Sequence, residues 1–112
     1  MSYFSPSGSG GSTSSVTISG ASSPAIANVS IPLANTEVSY MLPAETKRFY
    51  LSLRDAGADL KLAYVLGDSG TTYITIHRGN WYSEDLLSLS GTLTLYFQAT
   101  AAGQTAEILY WT

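Results

Sequence analysis

The sequence contains no cysteine, which excludes disulfides and thiolate metal sites. Its single histidine, His77, excludes a multi-histidine metal site. Charge is scarce as well: Asp, Glu, Lys and Arg make up 12% of the 112 residues, about half of the usual share. Five Lys and Arg against eight Asp and Glu give a formal charge of −3. This argues against nucleic acid as a partner, because neutralising phosphates needs clustered cations. No apolar run approaches the roughly 18 residues of a membrane span. Ser2-Tyr3-Phe4-Ser5-Pro6 offers neither a basic start nor an apolar stretch, so no secretory signal is expected. These absences disfavour most enzyme chemistry, and no cofactor and no membrane partner are expected. A chain of this length suits one domain with a modest core.

What is present is unevenly spread. The first charged side chain is Glu37, so the first 36 residues are uncharged. Residues 1–24 hold ten Ser and four Gly, with Pro6 and Pro24. Such a segment reads either as a flexible tail or as an arm held by a neighbouring subunit. It buries too little surface to offset its own chain entropy, so order in it requires a partner. The expectation is an arm over residues 1–24, with Tyr3 and Phe4 as anchors, ahead of a domain over residues 25–112.

After the arm the hydrophobic period is two. Val16 and Ile18 form a short alternating pair. Val29, Ile31 and Leu33 alternate before a turn at Ala34-Asn35-Thr36, then Val38, Tyr40 and Leu42 before Pro43. Phe49, Leu51 and Leu53 make one face of the next strand, with Arg48, Tyr50, Ser52 and Arg54 opposite. Leu60, Leu62, Tyr64 and Leu66 follow the turn at residues 55–59. Gly67-Asp68-Ser69-Gly70 is another turn, and Tyr73 to Ile76 is β-branched and aromatic. Trp81-Tyr82 reads as a short strand or ordered loop. Residues Glu84 to Ser90 fit either one helical turn or an irregular loop. Leu93, Leu95 and Phe97 form a strand, and Ala106 to Trp111 closes the chain. About eight short strands with frequent turns predict an all-β domain, a single antiparallel β-sandwich or jelly-roll-like fold with an extended N-terminal arm. Short connections make the pairing antiparallel.

The run from Ala25 to Ala34, with Ile26, Val29 and Ile31 as its large members, lacks any Lys or Glu to discourage pairing with another chain. It reads either as a central strand buried on both faces or as a strand between subunits, and its continuity with the uncharged arm favours the second.

Motifs for chemistry fail on context. Gly67-Asp68-Ser69-Gly70 has the string found around a serine-protease nucleophile, but His77 lies downstream and no acid supports it. It reads as a hairpin turn in which glycine supplies positive φ and Asp68 and Ser69 bond the local backbone. Asp55-Ala56-Gly57-Ala58-Asp59 begins like a calcium loop, yet Leu66 stands where the EF-hand glutamate belongs. Glu84-Asp85 are neighbours in one segment, whereas a glycosidase pair faces across a cleft. Asn28-Val29-Ser30 is a formal glycosylation sequon without a secretory signal to give it meaning. Trp81 and Tyr82 are the most informative aromatics. They fit core packing, a protein interface, or stacking on a surface glycan.

From Val29 onward the order of features forms a pattern. Leu42-Pro43-Ala44-Glu45-Thr46-Lys47-Arg48 leads into Phe49-Tyr50-Leu51; the strand Leu60 to Leu66 follows; then come Gly79-Asn80-Trp81-Tyr82-Ser83, Gly91-Thr92-Leu93, and the ending Glu107-Ile108-Leu109-Tyr110-Trp111. This order resembles small all-β, sandwich-type structural proteins of tailed-phage virions. The arm is not part of the pattern. The resemblance implies a non-enzymatic virion protein, in capsid decoration, a head–tail collar or a fibre base. Its partners would be other virion proteins and copies of itself, after assembly in the host cytoplasm. It transfers no catalytic residue. The alternative is a carbohydrate-binding module using Trp81 and Tyr82.

Overall fold

The computed structural model describes residues 24–112. The expected arm except Pro24, and with it Tyr3 and Phe4, lies outside the described residues. Eight strands follow in order: β1 (Pro24–Ile31), β2 (Val38–Leu42), β3 (Arg48–Leu53), β4 (Leu60–Ala63), β5 (Ile74–Ile76), β6 (Trp81–Glu84), β7 (Leu93–Ala99) and β8 (Gln104–Trp111). They form two four-stranded sheets, ordered β1-β8-β3-β6 and β2-β7-β4-β5. Every pairing is antiparallel. The fold is the all-β, two-sheet architecture that the period-two pattern predicts.

The alternation works as a sorting device, since successive side chains of a strand point to opposite faces. In β3, Phe49 and Leu51 are buried while Tyr50 between them is exposed. Their inward neighbours Ile108 and Ala106 on β8 are fully buried, as are Leu42, Leu95 and Phe97 from the second sheet. Each such Leu, Ile or Phe contributes about 1.5–3 kcal/mol by leaving water. Tyr40 and Tyr110 meet within this layer, with hydroxyls 3.0 Å apart. That hydrogen bond, with burial, pushes the Tyr40 hydroxyl up to about 12.

The apolar run at 25–34 stops pairing at Ile31. Pro32 follows and has no N–H to give to a ladder, and Leu33 beyond it is exposed. Of the two readings of this run, the central strand is set aside: β1 pairs only with β8 among the described residues and is an edge strand. Its inward positions Ala25, Ala27 and Val29 are partly covered, and its outward positions are open. Of residues 84–90, left open between a helical turn and a loop, Glu84 ends β6 and the rest carry no helix, part of an irregular connection over 85–92. Leu87 anchors it, packing against the core and donating its N–H to the Lys47 carbonyl at 2.8 Å.

Candidate functional site

The two sheets end differently on their outward faces. On the second sheet, Glu37 precedes β2 and Gln98 lies on β7. The segment between β4 and β5 folds over them. Gly67 adopts φ +87, a backbone state that glycine reaches without strain. The turn it begins brings the Gly67 N–H to Glu37 Oε2 at 2.9 Å and the Ser69 N–H to Oε1 at 3.1 Å. The Ser69 hydroxyl donates to Oε1 at 2.6 Å and lies 2.9 Å from the Gln98 side-chain oxygen position. A hydroxyl has one proton, so with that proton on Glu37 the Gln98 amide satisfies the second contact when its NH₂ group is the one turned to Ser69. The Ser69 hydroxyl bond, opposed by some desolvation and aided by the two backbone N–H groups, holds the Glu37 carboxyl below its ordinary value. Ser69 is buried. The turn expected at Gly67-Asp68-Ser69-Gly70 is present, but Ser69 bonds a distant carboxylate and amide in place of the local backbone. His77 is exposed in another turn.

On the first sheet nothing in the described residues covers the outward face. Its register places Ile26, Leu109, Tyr50 and Ser83 in one row across the four strands, and Asn28, Glu107, Ser52 and Trp81 in the next. Trp81 is 60% exposed and Ile26 74%. Trp81 stands opposite Ser52, and Tyr50 opposite Ser83. The two large rings are therefore diagonal neighbours, close enough to touch. They stack with centroids 5.9 Å apart and planes 27° apart. The small serines on the other diagonal leave space beside them. A groove of about 480 Å³ opens there, lined by Arg48, Tyr50, Trp81, Ser83, Asp85 and Trp111. A second groove of about 340 Å³, bordered by Ile26, Tyr50 and Leu109, continues toward β1.

Charge on this face is balanced. Arg54 donates to Glu107 at 2.9 Å, with both side chains about half exposed. Such a pair is worth about 0–1 kcal/mol in stability. The Arg48 guanidinium carbon sits 4.5 Å above the Trp111 ring. Arg48 Nε and Trp111 Nε1 are shielded from solvent and have no hydrogen-bond partner. An unmet buried donor costs about 1–3 kcal/mol, so this end of the groove carries unsatisfied polar capacity.

The sequence-expected interface residues are separated by this geometry. Ile26 and Trp81 point outward on the first sheet. Val29 points inward and is half-buried, and Ile31 is fully buried in the core, so its side chain has no surface to offer a partner. Trp81 and Tyr82 do not form a joint platform. As neighbours on β6 they face opposite ways. Tyr82 packs its ring against Phe49 at 6.1 Å and donates its hydroxyl to Glu84 Oε2 at 2.7 Å. Burial above all, then the bonds to Glu84 and Tyr64, raises its hydroxyl far above the ordinary range. The residue that joins Trp81 is Tyr50. Its outward orientation is legible in the alternation of β3, but its diagonal contact with Trp81 depends on a register between strands distant in sequence.

The remaining candidates for chemistry resolve into structural contacts. Asp59 accepts the Arg78 backbone N–H at 2.9 Å and lies 3.7 Å from Arg78 Nε. Glu84 and Glu107 serve Tyr82 and Arg54 separately. Among the described residues no three His, Asp or Glu side chains gather as a metal would require. No helix there is long and apolar enough to cross a membrane. Neither a family model, nor a curated protein, nor a solved structure matches the chain.

Proposed function

We propose that this protein is a non-enzymatic structural subunit of a tailed-phage particle that joins neighbouring virion proteins, copies of itself included, by strand addition at β1. The carrying observation is the free edge of β1. A strand turns the N–H and C=O groups of alternate residues to each side, so among the described residues one side of β1 has no pairing strand. The other three edges are protected in the ways that proteins ordinarily use. β5 has three residues, β6 has four and ends in Glu84, and β2 has five and follows Glu37. β1 has eight residues, no charge, and Ile26 standing 74% exposed. An added strand would extend the first sheet by main-chain hydrogen bonds, and Ile26 would gain cover. Low charge keeps the desolvation cost of that contact small. Repetition around a particle would add avidity, so each contact can be individually weak. The virion setting comes from the order of strand signatures between Val29 and Trp111.

The test is incorporation into particles. A chain carrying Ile26→Lys and Asn28→Lys alters only exposed positions of β1. It is expected to fold normally by circular dichroism and to lose roughly tenfold or more in particle binding, or ~1.4 kcal/mol. Full occupancy of the doubly substituted chain in purified particles overturns the reading.

A further inference from the structure

We propose that the groove beside Trp81 is a binding site for a neutral saccharide, with a pyranose ring lying on the exposed Trp81 ring, which Tyr50 supports, and its hydroxyls turned toward Arg48, Ser83 and Asp85. This inference does not rest on the assembly reading, which concerns the edge of β1.

A pyranose offers two chemistries at once. Its C–H face is apolar and stacks on an aromatic ring, and its rim of hydroxyls both donates and accepts hydrogen bonds. The groove supplies both kinds of partner. The Trp81 and Tyr50 rings stack 5.9 Å apart, and 60% of Trp81 is exposed. Beside them, Arg48 is a pure donor, Asp85 an acceptor, and Ser83 either. No ion pair joins Arg48 to Asp85 among the described residues, so neither group is consumed by the other. Their charges offset within one groove, which favours a neutral ligand over an anion or a cation. The volume, about 480 Å³, lies within the range of small-molecule sites. A protein anchor seeks a drier pocket with its polar groups already satisfied.

The experiment is an NMR titration of the full-length chain with cellotetraose, chitotetraose, maltotetraose and mannotetraose. The expected result is a saturable shift of the Trp81 indole and Ser83 amide signals by at least one probe, with a Kd of about 1 mM or tighter. Trp81→Ala abolishes the shift of Ser83, and Asp85→Asn weakens binding roughly tenfold. Met41→Ala, an exposed change on the second sheet, leaves it unaltered. Three results overturn the proposal: no shift with any of the four probes, a shift that survives Trp81→Ala, or no saccharide response while Trp81→Ala abolishes attachment to particles. The last identifies the rings as a protein contact. Incorporation of the Trp81→Ala chain into particles is scored separately, so loss of this site and loss of the assembly reading remain distinguishable.

Discussion

The outward faces of the two sheets are built from similar strands and finished in opposite ways. On the second sheet, one acceptor-only carboxylate, Glu37, collects a turn of chain through three hydrogen bonds and closes the face around Gln98. On the first, aromatic rings stand beside serines with no segment over them among the described residues. The difference lies in what each residue asks for. A carboxylate and backbone N–H groups satisfy one another within the chain and hold the turn over that part of the face, while Met41 farther along it stays exposed. Stacked rings have apolar faces that water does not reward and nothing in the described chain covers.

The largest effect should come from opening the closed face. Ser69→Ala removes the hydroxyl that Glu37 and Gln98 share, and urea unfolding should record a loss of about 1–3 kcal/mol. A change below 0.5 kcal/mol, the ordinary range for a surface site, would show the clasp to be decorative and would erase the contrast between the faces.

Titration sharpens the same contrast from another side. The folded-state value of Glu37 is depressed, so its stabilisation is complete above the ordinary value of 4.5 and is lost as pH falls through the lowered value. Thermal melts should decline in that acid window, and Glu37→Gln should flatten the decline. At the alkaline end, Tyr40 is raised from 10.0 to about 12. Its contribution is complete below 10.0 and fades as pH rises through about 12, since the unfolded chain ionises first. Tyr40→Phe should remove part of that alkaline loss.

Gly67→Ala should cost about 1 kcal/mol. Space is not the obstacle, because an added Cβ meets nothing within 4 Å; the φ of +87 is. Equal stability of this variant would mean that the clasp forms without the left-handed turn.

The smallest effect on stability belongs to the open face. Trp81→Ala gives up a stacking contact worth about 0.5–1.5 kcal/mol at most, and less with the ring largely in water. Chemical denaturation should find it nearly as stable as the parent chain. A loss comparable to that of Ser69→Ala would make Trp81 a structural residue and remove the ground for treating this face as a site.

The period-two spacing of Phe49, Leu51, Leu60, Leu62, Leu95 and Phe97 was enough to set the fold class, because alternation alone decides which side chains leave water. The same spacing turned Tyr50 outward, while Ile31, expected at an interface, is buried in the core. The alternation of Val29, Ile31 and Leu33 carried the expected strand past Pro32, whereas β1 ends at Ile31 because an imide nitrogen cannot join a ladder. Trp81 and Tyr82 are neighbours in the sequence, and the same alternation sends them to opposite faces once they lie on a strand. Two contacts had no local signature. Tyr50 and Trp81 become partners only through the β3–β6 register, and Glu37 and Ser69 only through a turn that crosses a sheet. Whether β1 lay in the middle of a sheet or at its edge was open as well, because an uncharged strand suits either place, and only the adjoining uncharged segment tipped the reading toward a strand between subunits. Local spacing determines what a residue is rewarded for burying. Which residues meet depends on strand order and register, which arise from the packing of segments far apart in the chain, and here that decided where the closed face and the open face lie.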